Sequence, residues 1–383
     1  MRKKVAVIIP YYHSNLTETE KISLDNCCNV LKNYPIILVV PEGMDKEEYP
    51  DNNRLSFQTV PNFWLESIKS YNHMMLSKEF YKFFFEYEYI LIFQLDAFVF
   101  KDELNEFCSL DYDYIGAPWL CGVFFYLYHK HCVWYVGNGG LSLRRVKSCY
   151  NILEKKQEFL SQNEFNEDAF FASVMSNDFN IAPVDIALRF AFERDIKQCF
   201  MRNNYELPFG CHAWHRYNVK FLKKYIEQMG YKISDDVEKF GNQDELLFDE
   251  YCQMEKKAYY WNHIYTAEHL QAALRKLLKN NINNYVIWGA GNDGIGLSNM
   301  LKEVGIDIDY FCDNNPNLLG KTRNGFEVYS SQYLSHENTR VNVIIAIEKK
   351  GWELVKQLET QGFKYGYNCT RYEDILSELF NVC

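Results

Sequence analysis

The residues of this chain that could do chemistry stand at the ends of apolar runs. YILIFQLDAFVF, Tyr89 to Phe100, is apolar almost throughout yet carries Gln94 and Asp96. An isolated ionised carboxylate in a core costs at least several kcal/mol, so Asp96 needs a partner or a task, and a hard divalent cation is one such task. VGNGGLSLRR sets Gly137, Gly139 and Gly140 ahead of Arg144. Glycines there let a backbone approach a sugar or pyrophosphate, or equally make a tight turn into a strand, and Arg144 offers a charge-assisted bond. NEDAFF carries Glu167 and Asp168 behind Asn166, which can cap a helix whose first turn favours acids. PFGCHAWH holds His212 two residues after Gly210.

These segments need a scaffold, and the hydrophobic pattern supplies one. Val5 to Ile9, Ile36 to Val40 and Tyr89 to Phe93 are short, nearly continuous apolar runs, as parallel strands covered on both faces require. Trp64 to Leu76 carries Leu65, Ile68, Asn72 and Met75 at helical spacing, a crossover helix between strands, so the chain reads as α/β. In open parallel sheets ligands sit beyond the carboxyl ends of the strands. Three such ends are Pro10-Tyr11-Tyr12, Pro41-Glu42-Gly43 and Gln94-Leu95-Asp96. Together they offer an aromatic face for a base, an acceptor for its ring N–H, and a carboxylate for a metal. A tyrosine after a strand usually packs and an Asp there often forms a turn; their joint occurrence points to a ligand.

Composition narrows the classes. The 383 residues suffice for two or three domains, and 48% hydrophobic with 17% aromatic residues can bury a sizeable core. With 41 basic against 51 acidic residues and no Lys/Arg block, binding to a nucleic-acid backbone is not expected. The opening MRKKVAVIIPYYH has too short an apolar run for an export signal and reads as a first strand, and no run reaches the ~18 apolar residues of a membrane span. The twelve cysteines lack a CxxC pair and read as reduced thiols of a cytosol. His129, His131 and Cys132 lie close together, but no fourth zinc ligand is evident.

YNHMMLSKEFYKFFFEYEYILIFQLDAFVF, followed in order by DELNEF, YDYIGAPW, VGNGGLSLR, NEDAFF and PFGCHAWH, resembles a bacterial family of GT-A-type glycosyltransferases found with surface-polysaccharide synthesis. The likeness covers roughly Lys3 to His215. It implies a GT-A domain with a mainly parallel sheet over residues 1–225, which passes a sugar from a nucleotide-diphosphate donor, UDP-linked by expectation, to a hydroxyl of a glycan or lipid-linked acceptor. It also implies Mn²⁺ or Mg²⁺ on the diphosphate, held by Asp96 and His212. Gln94 stands where the family often has its first acid, and can instead hydrogen-bond a ribose or phosphate. Within the acidic pair, Asp168 is the expected general base of an inverting reaction, with Glu167 second. Pro10, Tyr11, Glu42, Lys69, Asn72, Gln94, Gly139, Gly140 and Arg144 are the expected donor contacts, and Asp111, Asp113 and Trp119 the acceptor side. An enzyme of this kind is expected in the cytoplasm, meeting the inner face of the membrane peripherally, with homo-oligomers open.

From about Tyr217 the composition turns acidic, and TAEHLQAALRKLLKN then places Leu270, Leu274, Leu277 and Leu278 along one helix face, a connector over residues 226–280. Residues 281–383 read as a small Rossmann-like domain. There Gly289, Gly291 and Gly294 follow the strand YVIW and precede a helix, and Asp313 stands about twenty residues on, where an acid can accept a ribose hydroxyl. The segment from Asn283 to about Asp374 resembles domains attached to sugar-modifying enzymes, some of which bind nucleotide sugars. A nucleotide or dinucleotide ligand and a role in assembly are both open for it. An NAD(P)-dependent or sugar-modifying enzyme centred on these glycines is the alternative for the whole chain, against which stands the lack of a Tyr-x-x-x-Lys set; a non-catalytic nucleotide-sugar-binding scaffold is a further one.

Overall fold

The computed structural model describes residues 3–45, 50, 53–125, 132–162, 166–173, 179–241, 265–347 and 350–380. The chain is a mixed α/β protein divided into two compact units, Met1–Val123 with Trp134–Tyr251 and Phe124–Val133 with Cys252–Cys383.

The first unit has strands β1 (Lys3–Pro10), β2 (Ile36–Pro41), β3 (Leu55–Val60), β4 (Tyr87–Phe93), β5 (Phe98–Val99), β6 (Tyr114–Ile115), most of β7 (Pro118–Phe125) and of β8 (Cys132–Val136), β9 (Leu141–Arg145), β10 (Ala191–Phe192) and β11 (Gly210–Cys211). The main sheet runs β3-β2-β1-β4-β9-β6, with β3, β2, β1 and β4 parallel and β9 antiparallel to both β4 and β6. The three apolar runs of the sequence are β1, β2 and β4. Val7, Ile9, Leu38, Val40, Leu91 and Phe93 from these strands fill one core cluster. Each such side chain stabilises the fold by about 1.5–3 kcal/mol on burial. The edge strand β3, LSFQTV, is half polar because its outer face meets water.

The first seven helices in chain order are α1 (Glu18–Val30), α2 (Ile68–Met75), α3 (Lys78–Lys82), α4 (Leu104–Ser109), α5 (Val146–Lys155), α6 (Gln157–Gln162) and α7 (Glu167–Ser173). The crossover helix starts later than its apolar spacing suggests. Ser67 and Ser70 cap one another's backbone and fix the first turn at Ile68, leaving Leu65 in the preceding turn. Met75 faces the core as expected, whereas Ile68 is 82% exposed.

A small second sheet, β10-β11-β5, adjoins the end of β4. It pairs Phe192 with Cys211 in parallel and Cys211 with Phe98 antiparallel. The residues just past β10 and β11 are therefore brought beside the residues just before β5. Gly210 permits this, since a Cβ there would stand 2.7 Å from both the Phe98 carbonyl oxygen and Leu141 Cδ2.

In the second unit β12 (Tyr285–Trp288), β13 (Tyr310–Asp313), β14 (Thr322–Arg323), β15 (Phe326–Ser330), β16 (Asn342–Ile345) and β17 (Cys369–Arg371) form a sheet in the order β14-β15-β13-β12-β16-β17. All its pairings are parallel except β14 with β15. Helix Ala267–Leu277 packs against helix Tyr372–Phe380, with Leu270, Leu274 and Leu278 buried and Leu277 half-buried. The acidic stretch of residues 242–264 lies outside the described residues, as do His129 and His131 of the zinc reading. Among the described residues no helix is long and apolar enough to cross a membrane.

Candidate active site

Asp96, Glu193 and His212 meet where the main sheet and the small β10-β11-β5 sheet adjoin. Gln94 leaves β4 with its N–H on the Gly140 carbonyl at 2.8 Å, and Ala97 N–H closes a turn onto the Gln94 carbonyl at 2.9 Å. His212 follows β11, and its backbone N–H donates to the Phe192 carbonyl at 2.9 Å. One residue past Phe192 is Glu193, whose Oε1 lies 3.0 Å from His212 Nδ1. The other ring nitrogen, Nε2, faces Gln94 Oε1 at 3.2 Å and Asp96 Oδ1 at 3.0 Å. The Asp96 oxygen is buried, and its close contact is this ion pair with Nε2, which is not aligned as a good hydrogen bond. A buried polar atom without a good hydrogen bond costs about 1–3 kcal/mol, which a bound ligand or water can recover.

Electrostatics agree with this geometry. Burial would raise the Asp96 carboxyl, but the His212 imidazole, with His215 and Arg216, overrides it and holds the group at about 2. Burial opposes charge on His212 as well, and Asp96 and Glu193 on either side push its pKa well above the ordinary histidine value. The main chain is pinned to match. Trp214 N–H donates to the Asp96 carbonyl at 3.2 Å, its indole N–H reaches Ser23 Oγ at 2.9 Å, and Ala213 takes a left-handed φ of 48° between them.

Two cis ligands of an octahedral cation, each about 2.1 Å from it, stand about 3.0 Å apart. Asp96 Oδ1 and His212 Nε2 have that separation. Glu193 accepting from Nδ1–H would leave the Nε2 lone pair for a metal, the outer carboxylate that metal-binding histidines commonly have. The residues thus fit a divalent cation as a two-point site. Among the described residues no cluster of three or more His, Cys, Asp or Glu side chains is arranged to hold a metal, so any further ligands would come from a bound molecule or water.

The acidic pair divides. Glu167 is buried and its Oε2 lies 2.7 Å from Nη2 of Arg144, which is itself fully buried. Arg144 is further held by Ser142 Oγ at 2.9 Å and the Tyr81 hydroxyl at 3.1 Å, and it lies over the rings of Tyr114 and Phe171 at 5.4 and 5.2 Å. The guanidinium expected at the donor therefore serves the core, neutralising Glu167, because neither side chain reaches solvent. Burial pushes the Glu167 carboxyl up to about 7 despite Arg144. Asp168 is half-buried, and its Oδ1 accepts from Ala169 N–H at 2.7 Å. Burial, then the neighbouring Glu193, raises its pKa, while Arg144 and His212 pull the other way.

The two glycines act through side chains. A Cβ on Gly139 would fall 1.5 Å from Glu167 Oε1, and one on Gly140 would fall 2.0 Å from His212 Nε2. They admit the acid and the imidazole to the end of β4. Asn72, expected at the donor, instead serves α7, accepting from Glu167 N–H through Oδ1 at 3.0 Å and donating to Asn166 Oδ1 at 3.3 Å. Pro10 is buried at the end of β1, and Tyr11 is only 2% exposed within the core cluster. The ring that reaches solvent after β1 is Tyr12, whose hydroxyl is raised by burial and by the charges of Glu20 and Asp96. Glu42 and Lys69 are exposed. On the side expected for an acceptor, Asp111 and Asp113 are both ion-paired to Arg145, and Trp119 fills the space a Cβ on Gly137 would need.

Glu193 and Tyr71 are site residues that the sequence did not offer. Glu193 is positioned by the register of two-residue strands, which leave no periodic trace. Tyr71, on α2, has a buried hydroxyl without a well-aligned hydrogen bond. Burial, then the charge of Glu167, raises its pKa, with Asp96 adding to it and Arg144 and Gln94 opposing.

In the second unit Gly289 has φ 120° and its N–H donates to the Cys312 carbonyl at 2.8 Å. A Cβ on Gly294 would fall 1.8 Å from the Gly289 carbonyl oxygen, and Gly291 caps helix Asn292–Glu303 with open space around it. Asp313 Oδ2 accepts from Ala290 N–H and Oδ1 from Asn315 N–H, each at 2.8 Å. The acid expected to meet a ribose thus locks the glycine turn to the end of β13.

Residues 54–212 match a family described as "Protein of unknown function (DUF5672)", a span that contains Asp96, Asp168, Glu193 and His212. No curated protein matches the chain. Among solved structures, the chain is similar to the galactosyltransferase LgtC, in complex with donor and acceptor sugar analogs, at 14% identity and a TM-score of 0.42, over 60% of this chain and 98% of that one. It is similar to the glycosyltransferase GlyE of Streptococcus pneumoniae TIGR4 at 12% identity and a TM-score of 0.37, over 94% and 90% of the two chains. A UDP-D-quinovosamine 4-dehydrogenase from Vibrio fischeri is similar over 25% of this chain and 85% of its own, at 18% identity and a TM-score of 0.21.

Proposed function

We propose that the first unit is a metal-assisted glycosyltransferase that moves a sugar from a nucleotide-diphosphate donor, UDP-linked in the first instance, to a hydroxyl of a glycan or lipid-linked acceptor. The observation that carries this reading is the buried Asp96 Oδ1 standing 3.0 Å from His212 Nε2 without an aligned hydrogen bond, with Glu193 behind the imidazole, at the carboxyl end of a parallel strand. Asp96 and His212 would hold Mn²⁺ or Mg²⁺, which when bound stabilises the negative charge gathering on a departing diphosphate.

The chain's own groups divide the remaining work. Asp168, half-exposed at the start of α7 with a raised carboxyl, is the base that takes the acceptor's hydroxyl proton. The acceptor oxygen then bonds to the sugar's anomeric carbon. The bond from that carbon to the diphosphate oxygen breaks, and its electron pair leaves with the diphosphate. A base on the face opposite the leaving group gives inversion. Glu167 takes no proton from the acceptor in this scheme, because Arg144 and the core enclose it. Gln94, whose Oε1 faces Nε2 of His212 at 3.2 Å, would be released from that nitrogen by a bound metal and is then available to a ribose or phosphate.

The test is a panel of nucleotide sugars with Mn²⁺ or Mg²⁺, following nucleoside diphosphate release with and without hydroxyl acceptors. Metal-dependent release, lost in Asp96→Asn and in Asp168→Asn, is expected. Release that ignores metal and survives Asp96→Asn overturns the proposal.

A further inference from the structure

Tyr71 lies on α2, one residue before Asn72, which caps α7, and four before Met75, whose sulfur receives Arg144 Nη1 at 3.7 Å. Its ring is half-buried, and its hydroxyl oxygen is fully buried without a well-aligned hydrogen bond; Gln94 interacts with it as a donor, which leaves the hydroxyl's own proton without an aligned acceptor. None of the neighbouring acceptors is aligned to it: Glu167 Oε2 is turned to Arg144, and Gln94 Oε1 faces His212 Nε2. A tyrosine hydroxyl usually finds a partner when buried, so this one stands ready for an acceptor that the chain itself does not provide.

We infer that Tyr71 is a donor-recognition residue, whose hydroxyl donates to a neutral hydroxyl oxygen of the sugar being transferred. The inference rests on the proposed glycosyltransferase reading and extends it to the sugar. A neutral oxygen is favoured over a phosphate because Glu167 and Asp96 both place negative charge on the phenol's surroundings, while the nearby cation, Arg144, is already paired. A sugar hydroxyl can accept from Tyr71 and still donate elsewhere, which a phosphate oxygen cannot do.

Tyr71→Phe removes the hydroxyl and keeps the ring. Since that hydroxyl has no aligned internal hydrogen bond, the variant without ligand should melt at or above the wild-type temperature. Titrated with UDP and Mn²⁺, it should bind as wild type does. Titrated with the UDP-sugar selected by the release panel, it should bind about three- to tenfold more weakly, the worth of one neutral hydrogen bond. A lower melting temperature would show an internal partner and overturn the inference. Equal affinity for the UDP-sugar would mean that the hydroxyl meets only a buried water, and overturns it while leaving the transferase reading intact. Wild-type protein that binds neither UDP nor any UDP-sugar with Mn²⁺ would instead remove the transferase reading, and this inference with it.

Discussion

Gly140→Ala is the substitution whose effect follows most directly from the geometry. The added methyl would lie 2.0 Å from Nε2, 2.3 Å from Cδ2 and 2.4 Å from Cε1 of His212, so the imidazole itself must move. The ring has little freedom, because its side chain is only 13% exposed and its backbone N–H is bonded to Phe192. Turning it away breaks the Nδ1 contact with Glu193 and separates Nε2 from Asp96. A hydrogen bond to a charged group contributes about 1.5–3 kcal/mol, and forcing a methyl into a packed site costs about 1–3 kcal/mol. A combined loss of about 3 kcal/mol corresponds to a fall of roughly 6–12 °C in the melting of the first unit. Displacing the imidazole should also weaken Mn²⁺ binding by at least about tenfold, by analogy with loss of an outer-shell partner. Calorimetric melting and Mn²⁺ titration of the variant check both numbers. A Gly140→Ala protein that melts and binds Mn²⁺ like wild type would refute the placement of His212 against β4.

Other outcomes follow from neighbouring contacts. Glu193→Gln should keep the fold, with Mn²⁺ affinity about tenfold lower by titration, since the outer carboxylate on Nδ1 is lost. Arg144→Met should cost about 3–5 kcal/mol in urea melts at pH 8, where wild-type Glu167 is ionised against Arg144, because the variant must bury that carboxyl without its ion partner or protonate it, and adding Glu167→Leu should recover much of the loss. Burial raises Glu167 from 4.5 to about 7 in the folded chain, so between those values the folded state keeps a proton that the unfolded state has lost. Its contribution to stability is therefore full below about pH 4.5 and falls by about 3 kcal/mol as pH rises to 7. The stability of wild type minus that of Glu167→Gln, measured at pH 5 and pH 7.5, should show that decline, and a pH-independent difference would contradict it.

The central strands were legible because burial on both faces writes a continuous apolar run, as in β1, β2 and β4. The edge strand β3 was not, because its outward residues are polar. Asp96 and His212 stood out as a charge after an apolar strand and a histidine after a glycine, yet their partner Glu193 left no mark. Its place depends on Phe192 pairing with Cys211, a register between strands too short to show a period. Arg144 illustrates the opposite difficulty. An arginine near glycines suggests a ligand contact, and only tertiary packing shows that it serves Glu167 in the core. Gly139 and Gly140 were legible as close-approach positions, while the bodies that approach them, a carboxylate and an imidazole of the same chain, are set by contacts distant in sequence.

The most direct measurement is a crystal grown with UDP and Mn²⁺, with anomalous scattering recorded for manganese. A peak bonded to Asp96 and to His212 Nε2, with Glu193 still on Nδ1 and the diphosphate on the metal's remaining positions, is the expected result. A peak elsewhere, bonded to neither Asp96 nor His212, would contradict it.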